Sequence, residues 1–316
     1  MNGRTILCLV CGLGLAVAVP GAETISSVMT VPLQAQGPRT SGPVSVSLQN
    51  EINAAVDRGR GWLVASQNVD GSWGSDTSCV PLTALAALSL AHNASPEEKR
   101  AIDKAGQWLL TPEAAHAACD NIEGLIWREL ALQAITFPHP PRTAAFFQGL
   151  QILAATNYIS PFARMLIHEA VPSQIGLLPF PASTDATNTT HIIEACLGSM
   201  PQGTLNAPSP ALRRLLMRLA ADWGVGDMPH TSQLASMRQY WVLAHFINRA
   251  GNGSLADEQG RLVDWRNDLA RKLVATQAID ARKQGTGFWR GERVAADWAS
   301  HPVAETAFAL LALDEL

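Results

Sequence analysis

With 316 residues, 47% of them hydrophobic and 16% charged, the chain has enough apolar material for a sizeable core, and disorder is excluded as its default state. A net charge of -4 and the lack of any Lys/Arg run leave no electrostatic footprint for nucleic acid or anionic lipid.

Residues 1–22, "MNGRTILCLVCGLGLAVAVPGA", place Arg4 ahead of an apolar run from Ile6 to Val19 that contains the small-x-small step Ala16-Val17-Ala18. This is the layout of a secretory signal, so the expected location is periplasmic or extracellular, with no transmembrane segment in the mature chain. Cys8 and Cys11 fall inside the segment to be removed. Residues 23–47 are polar, punctuated by Pro, Gly and Ser and free of helical periodicity, and read as a flexible leader.

From residue 48 to 316 apolar residues recur at three- and four-residue spacing between Gly/Pro-rich breaks, and strand-like alternation is scarce. The pattern predicts an all-α fold with helices over 49–66, 81–92, 97–110, 122–136, 142–156, 160–170, 187–199, 208–222, 231–249, 261–277 and 302–316. Of the remaining cysteines, Cys79 and Cys119 each precede a predicted helix in successive repeats and form the preferred disulfide, with Cys196 as a buried thiol.

Two regions repeat one another. Leu63-Val64-Ala65-Ser66-Gln67 recurs as Leu273-Val274-Ala275-Thr276-Gln277, and each is followed by a Gly-x-Trp, Gly71-Ser72-Trp73 and Gly287-Phe288-Trp289. A helix with small residues between bulky ones follows each, "TALAALSL" from Thr83 and "TAFALLAL" from Thr306. The unit is helix, Gln, Gly-x-Trp turn, small-residue helix. Small residues allow close packing in an inner ring and the more charged helices suit an outer one, so five or six such pairs would close an α/α toroid.

The spacing of Arg58, Gly59, Trp62, Leu63, Gln67, Gly71 and Trp73 resembles the QW repeat of squalene/hopene cyclases and protein prenyltransferase β subunits. In the last repeat Lys272 stands where the repeat has an aromatic, and nine residues separate Gln277 from Gly287. The resemblance implies an α/α toroid over residues 48–316, with the Gln tying down the outer helix and the Trp stacking in the turn between rings. It does not bring that family's chemistry. The chain has no Asp-x-Asp-Asp or Asp-Cys-Thr-Ala-Glu acid motif, no Asp-x-Cys of the prenyltransferase zinc site, and Glu305-Thr306 where the His-Thr of that site would fall. The Gly-Cys-Gly-Glu-Gln of thioester domains is missing too, as are a Walker loop, a dinucleotide fingerprint, a His-Glu-x-x-His and a nucleophile elbow.

Polar residues on the inner helices are then the candidates for a site: Glu129, His191, Glu194, Arg238 and Glu305 for catalysis, and His191, Glu194 and His301 for a metal. His191 and Glu194 stand at i and i+3 on one helical face, where they could share a metal or a proton or simply pair with each other. Asp297, His301 and Glu305 are spaced at i, i+4 and i+8, but Pro302 favours the first helical position, which leaves Asp297 outside and puts Glu305 in the first turn, suited to the helix dipole. Of the nine Trp residues, Trp62, Trp73, Trp108, Trp223 and Trp289 fall at repeat positions, whereas Trp127, Trp241 and Trp298 are less accounted for and could line a cavity or be simply core.

Two functions follow as expectations. One is a binding or interaction module holding an apolar or isoprenoid-like ligand in the central cavity, or a protein partner on its rim, with no cofactor. The other is an extracytoplasmic enzyme, a glycan hydrolase or lyase or a divergent transferase with a divalent metal, using inner-helix His and Glu residues.

Overall fold

A computed structural model describes residues 44–75, 78–118, 122–135, 160–170, 193, 210–221, 223, 236–251, 253–283, 285–291 and 298–316. The described helices are α1 (Val46–Ala65), α2 (Cys79–Ala91), α3 (Pro96–Leu109), α4 (Pro112–Ala118), α5 (Ile122–Ala134), α6 (Pro161–Ala170), α7 (Pro210–Ala221), α8 (Met237–Gly251), α9 (Trp265–Thr276) and α10 (Pro302–Asp314). A two-residue antiparallel hairpin, β1 (Ala278–Ile279) with β2 (Gly287–Phe288), and a 3-10 turn at Trp298–Ser300 complete them. The all-α expectation is met. Segment 1–22, read as a secretory signal, most of the segment read as leader and the predicted helices 142–156 and 187–199 lie outside the described residues, except for Ile193, which is buried.

Local chemistry sets the ends. Ser45 Oγ accepts the Leu48 amide and starts α1 two residues inside the segment read as leader. Ser95 and Glu98 form a reciprocal capping box around α3, with Pro96 at its first position. The short α4 and the hairpin escape a periodicity reading because neither is long enough to repeat an apolar spacing.

Helices α2 and α10 are buried nearly all round, whereas α1, α3 and α9 each bury a stripe. Among the buried helices, α2 packs on α5 and α10, α10 on α8, and α5 on α6. Phe162 of α6 in turn meets Trp241 of α8, with ring centroids 6.3 Å apart. On the other side α1 packs against α3, α9 and α10, so the last helices lie on the first.

The two repeats are held by the same bonds. Trp73 Nε1 donates to Leu63 O and Trp289 Nε1 to Leu273 O, each at 2.8 Å. The Trp73 amide donates to Thr83 Oγ1 at 2.9 Å, and the Trp289 amide to Thr306 Oγ1 at 3.1 Å. Both indoles are fully buried. Each turn thus ties the last turn of one helix to the first turns of the next. In the second repeat, where no Gly-x-Trp follows α3, the guanidinium of Arg128 does the same work. Its Nε donates to Leu109 O at 2.7 Å, and Trp108-Leu109 stands in α3 as Trp62-Leu63 stands in α1.

The repeats also grip one another. Gln67 Nε2 donates to Ala101 O of α3, and Gln277 Nε2 to Ala55 O of α1, each at 2.8 Å. Ala101 and Ala55 both lie seven residues before a Trp-Leu pair. Around Gln277 the grip is reinforced: Arg58 Nε donates to its Oε1, Trp62 Nε1 donates to Asp280 Oδ2, and Trp62 stacks on Phe288 at 5.1 Å. A Cβ on Gly59 would stand 2.7 Å from the Trp289 ring, so only glycine lets the last repeat seat its indole on α1.

Trp73→Ala and Trp289→Ala, each deleting a fully buried ring and one of the hydrogen bonds to a helix-end carbonyl, are expected to cost about 3–5 kcal/mol in urea unfolding, by similar amounts at the two positions. A loss at one position only would contradict the equivalence.

Candidate functional site

The helices that carry no Gly-x-Trp indole contribute a different set of rings. Trp127 of α5, Phe162 of α6, Trp241 of α8 and Phe308 of α10 are all buried and meet one another. Trp127 lies 6.3 Å from Phe162, 5.8 Å from Trp241 and 5.9 Å from Phe308. Trp241 stacks on Phe308 at 5.7 Å, and Phe162 meets Phe308 edge-on at 6.4 Å. Trp298, from the 3-10 turn, adds a half-buried ring 6.4 Å from Phe308. The three Trp residues that the repeat left unexplained thus come together in one cluster.

Two donors border it. Trp127 is 1% exposed and its Nε1 has no acceptor. Arg238, in the first turn of α8, lays its guanidinium 4.6 Å above the Phe162 ring, and its buried Nε also has no acceptor. Aromatic faces offer a large apolar surface, and an indole N–H or a guanidinium offers direction to a polar atom placed on it.

The carboxylates are engaged elsewhere. Glu129 accepts from Arg128 Nη1 at 2.9 Å, the same Arg128 that holds Leu109 O, so its charge balances a buried structural cation. Glu305 Oε2 accepts the amide of Met237 at 2.7 Å, where a buried carboxylate suits the positive end of α8. Thr306, beside it, is taken by the Trp289 amide.

His301 is the N-cap of α10: its Nδ1 accepts from the Val303 amide at 3.2 Å, and Pro302 follows at the first helical position as the sequence implies. His191, Glu194 and Asp297 lie outside the described residues, as do Cys119 and Cys196; Cys79 opens α2 half-buried. Among the described residues no three His, Cys, Asp or Glu side chains gather as a metal site. No described helix is long and apolar enough to cross a membrane.

Sequence reasoning missed two carboxylates, Asp70 and Asp280, each three residues after the repeat Gln. The Ser72 amide, then its hydroxyl, holds the Asp70 carboxyl below the usual range, and Trp108 is the least of its stabilisers. The Arg282 amide does most to lower Asp280, and Trp62 contributes as well. The shared Gln-x-x-Asp spacing was the available signal. Trp223 Nε1 finds a third carboxylate, Asp268 of α9, at 3.1 Å.

No model of a known protein family matches the chain, and no curated protein matches it.

His301 keeps an exposed edge, yet partial burial of its ring lowers its pKa from the ordinary 6.5, and its capping role needs an unprotonated Nδ1. With the folded value depressed, the unfolded chain takes up the proton first. The cap's contribution is therefore full above about pH 6.5 and falls as pH drops below it toward the folded value. His301→Asn, which keeps an acceptor and cannot titrate, is expected to flatten the slope of stability between about pH 6.5 and 5 in urea unfolding, and His301→Ala to cost about 0.5–1 kcal/mol at neutral pH. An unchanged slope in His301→Asn would contradict the assignment.

Proposed function

We propose that the protein is an exported α/α toroid, built like the terpenoid cyclase and prenyltransferase superfamily but without its acid and zinc motifs, that binds an apolar or isoprenoid-like small molecule at its centre. The circuit of contacts from α2 through α5, α6, α8 and α10 back to α2 supports the toroid reading, as does the grip of the last repeat on α1. The observation that carries the binding reading is the convergence of Trp127, Phe162, Trp241 and Phe308 from four different helices, with an acceptor-less indole N–H among them. Structure alone needs large rings in a core, but it does not need an unpaired donor there.

The enzyme reading draws less support. Glu129 balances Arg128 and Glu305 caps α8, so these two carboxylates have structural duties, and fold resemblance by itself does not carry an activity.

Farnesol titrated into the purified protein is expected to change Trp fluorescence in a saturable way, and an organic extract of the protein as isolated is expected to contain an apolar compound at close to one per chain. A flat titration together with an empty extract would reject the binding reading, and turnover of a glycan polymer by the same preparation would favour the enzyme.

A further inference from the structure

The binding reading leaves open what polar group the ligand carries, and the two donors beside the cluster address it. Arg238 makes no hydrogen bond or ion pair with any described residue; its one described contact is the face of Phe162. A carboxylate stands close by: Glu305 Oε2 is bonded to the amide of Met237, the residue preceding Arg238. The guanidinium makes no ion pair with it and lies over Phe162. Trp127, whose ring also meets Phe162, brings the second donor, and both its Nε1 and Arg238 Nε are out of contact with solvent. A buried donor without an acceptor is disfavoured, and two of them against one ring are best satisfied together by one group that only accepts.

We propose that Arg238 and Trp127 Nε1 form a recognition pair for the carboxylate of an apolar monocarboxylic acid whose hydrocarbon body lies on Trp241 and Phe308. This rests on the binding reading and goes beyond it by naming the headgroup. A carboxylate matches the planar fork of a guanidinium and has lone pairs left for the indole N–H. One guanidinium balances a single negative charge, so a phosphate or diphosphate dianion is disfavoured. The Phe162 face beneath the guanidinium keeps the cation in place without consuming a donor.

The test uses the full mature chain and three ten-carbon probes, decanoate, decanol and decyl phosphate, with affinity read by calorimetry at neutral pH. Decanoate is expected to bind about tenfold or more tightly than decanol. Arg238→Gln should abolish that preference. Arg238→Lys, which keeps the charge but loses the fork, should restore part of it, and Trp127→Phe should weaken decanoate several-fold more than decanol. Thermal melts of each variant show whether it is folded, and the Lys variant keeps the comparison valid if Gln is not. Equal binding of decanoate and decanol overturns the headgroup assignment and leaves the apolar site standing. Tightest binding by decyl phosphate overturns the monoanion. No binding of any probe overturns both this inference and the reading it rests on.

Discussion

An indole N–H aimed at a helix-end carbonyl organises this protein. The last carbonyls of a helix have no partner within it, and a buried one is costly until something donates to it. Trp73 donates to Leu63 O beside the Ser66 amide and Trp289 to Leu273 O beside the Thr276 hydroxyl, while their own amides are received by Thr83 and Thr306 at the start of the following helix. One residue therefore fixes the end of one helix, the direction of the turn and the beginning of the next helix. Arg128 shows that the requirement belongs to the carbonyl and not to the tryptophan, because a guanidinium serves Leu109 where no indole is at hand. The buried Glu129 is then a consequence of that choice, the counter-charge that a cation in the core demands.

The repeat motif divides into two halves with different tasks. Leu63, Gln67, Gly71 and Trp73 make the turn of their own unit and reach forward to α3, whereas Arg58, Gly59 and Trp62 form a seat for another unit. The unit seated there is the last one. Gln277, Asp280, Phe288 and Trp289 all bear on α1, with the extra residues between Gln277 and Gly287 folded into a hairpin that also sends Lys283 to the Ala65 carbonyl. The last unit thus grips the first through the kind of bond by which the first grips α3, and helices α5, α6, α8 and α10 bring their own rings together in the aromatic cluster.

Much of this was legible in the sequence because the structural residues are repeated. Gln67 with Gln277 and Trp73 with Trp289 announce a shared role by their spacing, and Pro302 correctly places the start of α10 with His301 at its cap. The site was less legible because its residues occur once each. Trp127, Trp241 and Trp298 stood out only as rings the repeat did not need, and Phe162 and Phe308 looked like ordinary core residues; nothing in a linear pattern brings four different helices to one point. Glu129 stood out for the same reason, being polar in an apolar helix, and Glu305 was read as suited to the helix dipole; their partners Arg128 and the Met237 amide become evident only in three dimensions. Asp70 and Asp280 were readable and overlooked, since an Asp in a turn is commonplace until its partner, an indole on the neighbouring unit, is seen.

The most direct test of the closed arrangement compares Gln67→Ala with Gln277→Ala in urea unfolding of the full chain. If the last unit holds the first as the first holds the second, the two variants lose similar stability, about 0.5–1.5 kcal/mol each for a lost side-chain hydrogen bond to a helical carbonyl, in a single cooperative transition. A loss confined to Gln67→Ala, with Gln277→Ala indistinguishable from the parent, would contradict closure through α1.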